Sequence, residues 1–325
     1  MYDLQILAPT TEVEAITPIS GTRSSPLPRR TRILPYRSLI VWFTAAVTIL
    51  LLFSLFVRYG WPGSPDPCTT AEPTNTCWCE AFEPSDIGTP GVRQSVNTWS
   101  NLYALFTSLL VATVVCLDRQ ETRNSPQSAG SKSLIRGSDT WVADLYVFVV
   151  LYLGLGSMWF HASLTTWGGI LDALSIYALM AFLVVFSLQR SFNQTPALFW
   201  IAYWLLVAAL TIVHALAQPR YEETTMFLVI ASLIAYSLLE LHMWRKGKTR
   251  SGSSSSRFWW CACASGLVAA VFWGLSQTGQ LLCVPSSHVQ PHGIIWHPLA
   301  GVSAVLLFFY WRAAETGTLE SGLDS

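Results

Sequence analysis

The sequence predicts an all-α membrane protein, a polytopic bundle of transmembrane helices, on three observations. Hydrophobic residues make up 52% of the 325-residue chain and charged residues only 12%, whereas a soluble domain carries about 25% charged residues. The mean hydropathy is +0.41, so the chain has more apolar surface than one water-facing fold could bury. Eight runs approach the ~20 apolar residues that cross a bilayer as a helix. We therefore expect lipid to surround most of this chain.

The eight predicted spans lie between charged breaks, and tryptophan and tyrosine occur near many of their ends, as in interfacial belts. The basic residues are unevenly divided between the loops on the two predicted sides of the membrane. Sixteen of the 19 lie in the loops of one side, and only Arg58, Arg93 and Arg220 lie in the loops of the other. This asymmetry favours cytosolic N- and C-termini. The predicted spans are 39–57, 99–117, 141–160, 169–188, 196–217, 226–241, 258–282 and 294–311.

The segments outside the main bundle have their own predictions. Residues 1–36 are rich in proline, serine and threonine and are expected to form a disordered cytosolic tail. Residues 37–60 hold the first span, which is long enough to remain as a membrane anchor rather than a cleaved signal, and residues 313–325 form a cytosolic C-terminal tail. The formal net charge is zero, and no basic stripe is present, which argues against nucleic-acid binding.

Four of the seven cysteines fall on the predicted non-cytosolic side, where disulfides persist. A bridge between Cys79 and Cys283 would join the entries of the second and eighth spans, and Cys68 with Cys77 would form a local pair. Free thiols are the alternative, because pairing cannot be read from spacing. The other three cysteines are expected to be small apolar filler.

Strongly polar residues at membrane depth indicate a functional site near the non-cytosolic interface. Ser157 and His161 are four residues apart on one helix face, Asp172 begins the fourth span, and His292 and His297 begin the last. Three imidazoles with an open fourth position suit a catalytic zinc ion. The alternative is a set of interfacial histidines bonded to lipid headgroups or backbone.

Four other polar residues are interpreted as structural. His214 and His242 stand near span ends, far in sequence from any partner motif. Asp144 and Glu240 lie close enough to the cytosolic ends that their carboxylates are expected to reach water.

The segments 78–80 (Trp-Cys-Glu) and 97–101 (Asn-Thr-Trp-Ser-Asn), the Ser157/His161 pair, Asp172 and the stretch 292–297 occur in this order along the chain. In these residues the sequence resembles the alkaline ceramidase branch of the CREST superfamily of seven-span membrane hydrolases. The resemblance covers about residues 77–312 and implies a seven-helix ceramidase-like core. The first span is then an extra N-terminal transmembrane helix.

The resemblance implies a role for each matching residue. Zn²⁺ would be held by His161, His292 and His297, with Asp172 bonding the metal-bound water and Ser157 stabilising the oxyanion. Residues outside this set are expected to orient the ligands, join helices or tether a loop; these are Asn97, Ser100 and Glu80.

The implied activity is hydrolysis of the N-acyl bond of a ceramide-like lipid, giving a fatty acid and a sphingoid base. One alternative is an acyl ester or GPI-lipid hydrolase that uses the same zinc. Another is a receptor-like protein with a structural zinc, although a structural ion is normally closed by four protein ligands and would not need Ser157 or Asp172.

Two departures from the family pattern carry expectations. Alkaline ceramidases usually have the last two histidines four apart, whereas His292 and His297 are five apart, a rotation of about 140° on a straight α-helix. Both reach one ion only if a π-bulge or frayed first turn intervenes, which Gly293 and Pro298 favour. His288 is a rival ligand, four residues before His292, but the proline between them disfavours a regular helix.

The second departure concerns calcium. Calcium-regulated ceramidases carry an acidic segment before the first core helix, and here it corresponds to residues 77–82, with Gln94 at the later acidic position. Calcium prefers several carboxylate and carbonyl oxygens, and Glu80 is the only carboxylate left. We therefore expect no tight calcium site and expect Glu80 to tether this loop.

Overall fold

The fold is a bundle of long helices. The computed structural model describes residues 35–69, 78–124, 134–136, 141–192, 195–217, 221–247 and 253–321. The predicted tail up to residue 34, Cys77 and residues 322–325 lie outside the described residues. The helices are α1 (Arg37–Tyr59), α2 (Ser95–Ser100), α3 (Tyr103–Asn124), α4 (Val142–Ser163), α5 (Thr166–Phe192), α6 (Pro196–Leu216), α7 (Tyr221–Arg245), α8 (Ser253–Leu275) and α9 (His297–Ser321).

These helices confirm the predicted all-α polytopic bundle. Helices α2 and α3 together form one span, and eight spans within the described residues are long and apolar enough to cross a membrane. A π-helical turn, His292–Trp296, leads directly into α9. The predicted span 258–282 is wrong at its C-terminal end, because α8 stops at Leu275 and Gly279 adopts a positive φ of 79° in the loop that follows.

Helix α4 lies at the centre of the bundle and contacts α1, α2, α3, α5 and α9. It is apolar around most of its circumference and buried over most of its length, as expected for a helix with neighbours on every side. Gly154 permits the closest approach, because a Cβ there would lie 2.4 Å from the Ala104 Cβ on α3. The last turn of α4, which carries His161, is therefore held inside the bundle.

Helix α1 packs beside α3 and α4. The Trp42 indole N–H donates to the Ser108 hydroxyl at 2.8 Å, and the Phe53 ring lies edge-on to Trp61 at 5.3 Å. Most of α1 remains outside the protein interior, since only 11% of its apolar window is buried. The extra N-terminal span is thus a peripheral helix of the bundle.

The expectation that Asp144 and Glu240 reach water is wrong. Asp144 is 1% exposed and Glu240 is 0% exposed. The two oxygens of Asp144 accept hydrogen bonds from Arg119 at 2.9 Å, and Glu240 pairs with Arg190 at 2.9 Å and accepts from the Tyr310 hydroxyl at 2.6 Å. Arginines from neighbouring helices neutralise both carboxylates, which makes burial tolerable.

Candidate metal centre

Three histidines from two distant parts of the chain meet inside the bundle. One ligand atom from each of His161, His292 and His297 lies within 4.8 Å of the others, and all three side chains are buried. The ring of His161 is 5.2 Å from that of His292 and 5.7 Å from that of His297, measured between centroids. The rings of His292 and His297 are 4.6 Å apart. The three ligand atoms therefore lie close enough together to be able to hold one metal ion.

The π turn explains how two histidines five residues apart share one side of the helix. The backbone N–H of His297 donates to the carbonyl of His292, which is the i→i+5 bond of a π-helix. The predicted helix irregularity is therefore confirmed. Gly293 permits the turn to lie against α2, because a Cβ there would be 3.0 Å from Asn97 Oδ1 and from Ser100 Oγ.

His288 does not join this cluster. Its side chain is exposed, and the metal-competent group found among the described residues consists of His161, His292 and His297. The prediction that the ligand set contains His292 rather than His288 agrees with this geometry.

Gln94 holds His161 in one tautomer. The Gln94 side-chain amide donates to the Glu80 carbonyl at 2.8 Å, which directs its Oε1 towards His161 Nδ1 at 2.7 Å. Because an amide oxygen only accepts, Nδ1 must carry the proton. The lone pair of Nε2 is then free to bind a metal, and partners of this kind are typical of metal-binding histidines.

Two ring nitrogens of the cluster lack hydrogen-bond partners, which is consistent with a metal-binding site. His161 Nε2 and His292 Nδ1 are buried and have no hydrogen-bond partner in the part of the chain that the structure describes. A buried polar atom without a partner is costly, and a metal that binds imidazole would satisfy both. The third ring, His297, is held by the Ser100 hydroxyl, which lies 2.7 Å from Nδ1.

Helix α2 is held in place by Glu80. The carboxylate accepts the backbone N–H groups of Val96 and Asn97 at 2.8 Å each, at the helix end where a negative charge is favourable. Burial raises the pKa of the Glu80 carboxyl above its ordinary value, and the backbone hydrogen bonds offset part of that rise. Glu80 thus connects the loop before α2 to the segment that carries Asn97 and Ser100.

Ser157 and Asp172 lie next to each other on α4 and α5. The Ser157 hydroxyl interacts with the Asp172 carboxylate, and Ser157 precedes His161 by one helical turn. Among the described residues, the group able to hold a metal ion consists of the three histidines and does not include Asp172.

A tryptophan covers the cluster on one side. The Trp78 ring stacks on that of His292, with centroids 4.0 Å apart, and Trp78 has a positive φ of 38°. The next residue, Cys79, forms a disulfide with Cys283, and the Ala81 N–H donates to the Pro285 carbonyl. The loop that carries Trp78 is therefore joined to the loop before the π turn.

Sequence reasoning missed the contributions of Gln94 and Trp78. Gln94 was interpreted only as a lost acidic position, and no local pattern marks it as a partner of His161. Trp78 belongs to the segment 78–80 that carries the family resemblance and lies beside a cysteine expected to pair with the entry of the last span, but neither signal indicates that its ring stacks on His292.

We expect Gln94→Ala to weaken metal binding about 10- to 100-fold, the usual loss when a residue that orients a ligand is removed. Without the amide, the His161 ring loses its fixed tautomer and orientation. Chelator competition on the purified full chain measures the change. Gln280→Ala, at an exposed glutamine in the loop after α8, is the control and should bind metal normally. Equal affinity in Gln94→Ala and the unaltered chain would contradict this role.

A second acidic residue, Asp66, lies where the loop after α1 crosses the corner between α4 and α5. Its backbone N–H donates to the Leu164 carbonyl at 3.0 Å, and a Cβ on Gly169 would be 2.5 Å from Asp66 Oδ2. Burial raises the pKa of Asp66 from 3.8 to about 6, although the Cys68 N–H stabilises the carboxylate. The charge of Asp66 also acts on Asp172.

The raised pKa of Asp66 predicts a pH-dependent stability. Because the folded chain holds this proton more tightly than the unfolded chain, the free energy of unfolding falls as pH rises from about 4 to about 6 and stays lower above that. Asp66→Asn removes the charge, so we expect it to raise the melting temperature by about 2–4 °C at pH 8. Thermal melts at pH 4 should show no difference, and a constant difference at both pH values would contradict the explanation.

The fold and the cluster together define a multi-pass membrane protein with a buried three-histidine group able to hold a metal ion. The chain belongs to the ceramidase family, because the family model for Ceramidase matches residues 72–322. The match includes every residue of the cluster and leaves α1 outside, which confirms the resemblance seen in the sequence. The family implies an amide hydrolase that acts on ceramide. No curated protein sequence matches the chain at the level required to count as a relative.

Proposed function

We propose that this chain is an integral membrane, zinc-dependent amidase that hydrolyses the N-acyl bond of ceramide-like lipids to a fatty acid and a sphingoid base. The observation that carries the proposal is the buried cluster of His161, His292 and His297, in which one ring nitrogen of His161 and one of His292 have no partner among the described residues. The cluster lies inside the region that matches the ceramidase family. Zinc is the ion we propose, since three neutral imidazoles and an open fourth position are typical of its catalytic sites.

The chemistry follows from the residues around the cluster. Zinc held by the three histidines would polarise the carbonyl of the substrate and lower the pKa of a water molecule to ~7. The Asp172 carboxylate takes a proton from the attacking water as the water oxygen bonds to the acyl carbon. It then passes that proton to the amide nitrogen, so that the C–N bond breaks, the sphingoid amine leaves and the acyl group is released as the fatty acid. The Ser157 hydroxyl donates to the oxygen that becomes negatively charged.

The membrane setting suits this substrate. His161, His292 and His297 all lie near helix ends at one side of the bundle, so a lipid headgroup can enter while its chains remain among the helices. We propose cytosolic N- and C-termini and a site near the non-cytosolic face, and the distribution of basic residues between the loops supports this orientation.

The test is a substrate panel with the purified full chain, comparing ceramides with acyl ester lipids and GPI lipids, each with and without a zinc chelator. We expect free sphingoid base from ceramide, its loss on chelation and its return when zinc is restored. Fatty acid released only from the ester lipids would indicate an acyl ester hydrolase. Zinc binding without hydrolysis of any lipid in the panel would indicate the receptor-like alternative.

A further inference from the structure

Tyr103, at the start of α3, is held between two glycines on neighbouring helices. A Cβ on Gly301 of α9 would lie 2.4 Å from Tyr103 Cδ2, and a Cβ on Gly154 of α4 would lie 3.4 Å from Tyr103 Cε1. A larger residue at Gly301 would overlap the ring, since real Cβ contacts are not this short. The two helices therefore leave a slot that the Tyr103 ring fills in one position.

The slot places the ring of Tyr103 beside the histidine cluster. Its ring lies nearly parallel to that of His297, with centroids 6.2 Å apart and planes 22° apart. The charge of Asp172 acts electrostatically on the Tyr103 hydroxyl. Tyr103 thus lies beside the proposed metal ligand His297, on a helix that carries none of the proposed ligands.

The Tyr103 hydroxyl makes no hydrogen bond to any residue that the structure describes, and the side chain is partly exposed. The Ser157 hydroxyl differs from that of Tyr103, because it interacts with the Asp172 carboxylate. A hydroxyl has one hydrogen to donate, so Ser157 donates to the substrate oxygen only when its hydrogen turns away from Asp172. The hydrogen of the Tyr103 hydroxyl is therefore available to the substrate.

We propose that Tyr103 is a catalytic residue that donates a hydrogen bond to the carbonyl oxygen of the scissile amide, as a second donor beside Ser157. The inference rests on the proposed amidase function. The phenol keeps its proton throughout, and its hydrogen bond strengthens as negative charge develops on the substrate oxygen. Donors aimed at such a charge lower the barrier more than they improve substrate binding.

Tyr103→Phe tests the proposal, because it removes the hydroxyl and keeps the ring in its slot. We expect kcat for ceramide hydrolysis to fall about 100-fold, the lower end of the range for loss of one such donor, with KM nearly unchanged. Zinc content and melting temperature should equal those of the unaltered chain. The control is Tyr152→Phe, which removes a hydroxyl that also interacts with Asp172 but whose ring packs on Phe148; it should retain normal kcat.

The outcomes separate this inference from the proposed function. If the unaltered chain releases sphingoid base and Tyr103→Phe does so at the same kcat, the role of Tyr103 is wrong and the amidase stands. An equal loss in Tyr152→Phe would assign the effect to the charge of Asp172 and would also overturn the inference. If the unaltered chain hydrolyses no ceramide in the presence of zinc, the amidase proposal fails and the role of Tyr103 fails with it.

A double variant guards against a merely structural effect. Gly301→Ala should displace the Tyr103 ring and lower kcat in the otherwise unaltered chain. In the Tyr103→Phe background, where no hydroxyl remains to be displaced, the same change should lower kcat much less, which is the coupling expected of groups that act together. Equal losses in both backgrounds would contradict the proposed donor.

Discussion

His161→Ala is expected to abolish both metal binding and ceramide hydrolysis. His161 is fully buried, contributes one of three ligand atoms and is the one ligand in the cluster that does not come from the segment 292–297. A bound zinc ion supplies several kcal/mol of transition-state stabilisation, and about 1.4 kcal/mol is a factor of ten in rate. The rate should therefore fall at least about 1000-fold, measured as sphingoid base released per mole of folded chain.

The control for this variant is His288→Ala, at an exposed histidine near the π turn. We expect normal zinc content and normal hydrolysis, because His288 lies outside the cluster. A His161→Ala variant that still binds one zinc ion and hydrolyses ceramide would contradict the ligand set. Loss of zinc in His288→Ala would show that the rival ligand is used.

Asp172→Asn is expected to leave zinc bound and to slow hydrolysis about 100- to 10,000-fold, the usual contribution of a positioned general base. The amide side chain has nearly the same shape, and it cannot accept a proton from water. Metal analysis and hydrolysis rates on the same preparation separate the two effects. Asp86→Asn is the matched control, since Asp86 is 56% exposed and pairs with Arg93.

The metal content of Asp172→Asn decides between two roles. Retained zinc with a large loss of kcat fits a proton carrier next to the ion. Loss of zinc would make Asp172 a fourth ligand, and an unchanged rate would exclude it from the reaction.

The positions of the membrane-spanning helices could be predicted from the sequence, because the lipid environment requires each of them to be apolar over its length. A segment such as α4 must be apolar over about 20 residues and must satisfy its backbone groups internally, so hydropathy alone locates it. The predicted end of α8 is too late because Leu281 and Leu282 follow the uncharged polar residues 276–280. The turn at Gly279 therefore leaves no charged break in the sequence.

The partners of buried polar residues could not be predicted in the same way. Asp144 looks like an interfacial carboxylate in the sequence, and its burial depends on Arg119, which reaches it from another helix. Gln94 likewise precedes α2 with no pattern that connects it to His161, 67 residues later. The π turn was accessible to prediction only because two expected ligands had the wrong spacing for an α-helix.

The central claim is that His161, His292 and His297 bind one zinc ion together. Metal analysis and zinc X-ray absorption on the purified full chain test it most directly. We predict about one zinc per chain, with three imidazole nitrogens and an oxygen as its neighbours, and less than a tenth of that zinc in His161→Ala. Absence of zinc, or a zinc ion with sulfur neighbours, would contradict the account.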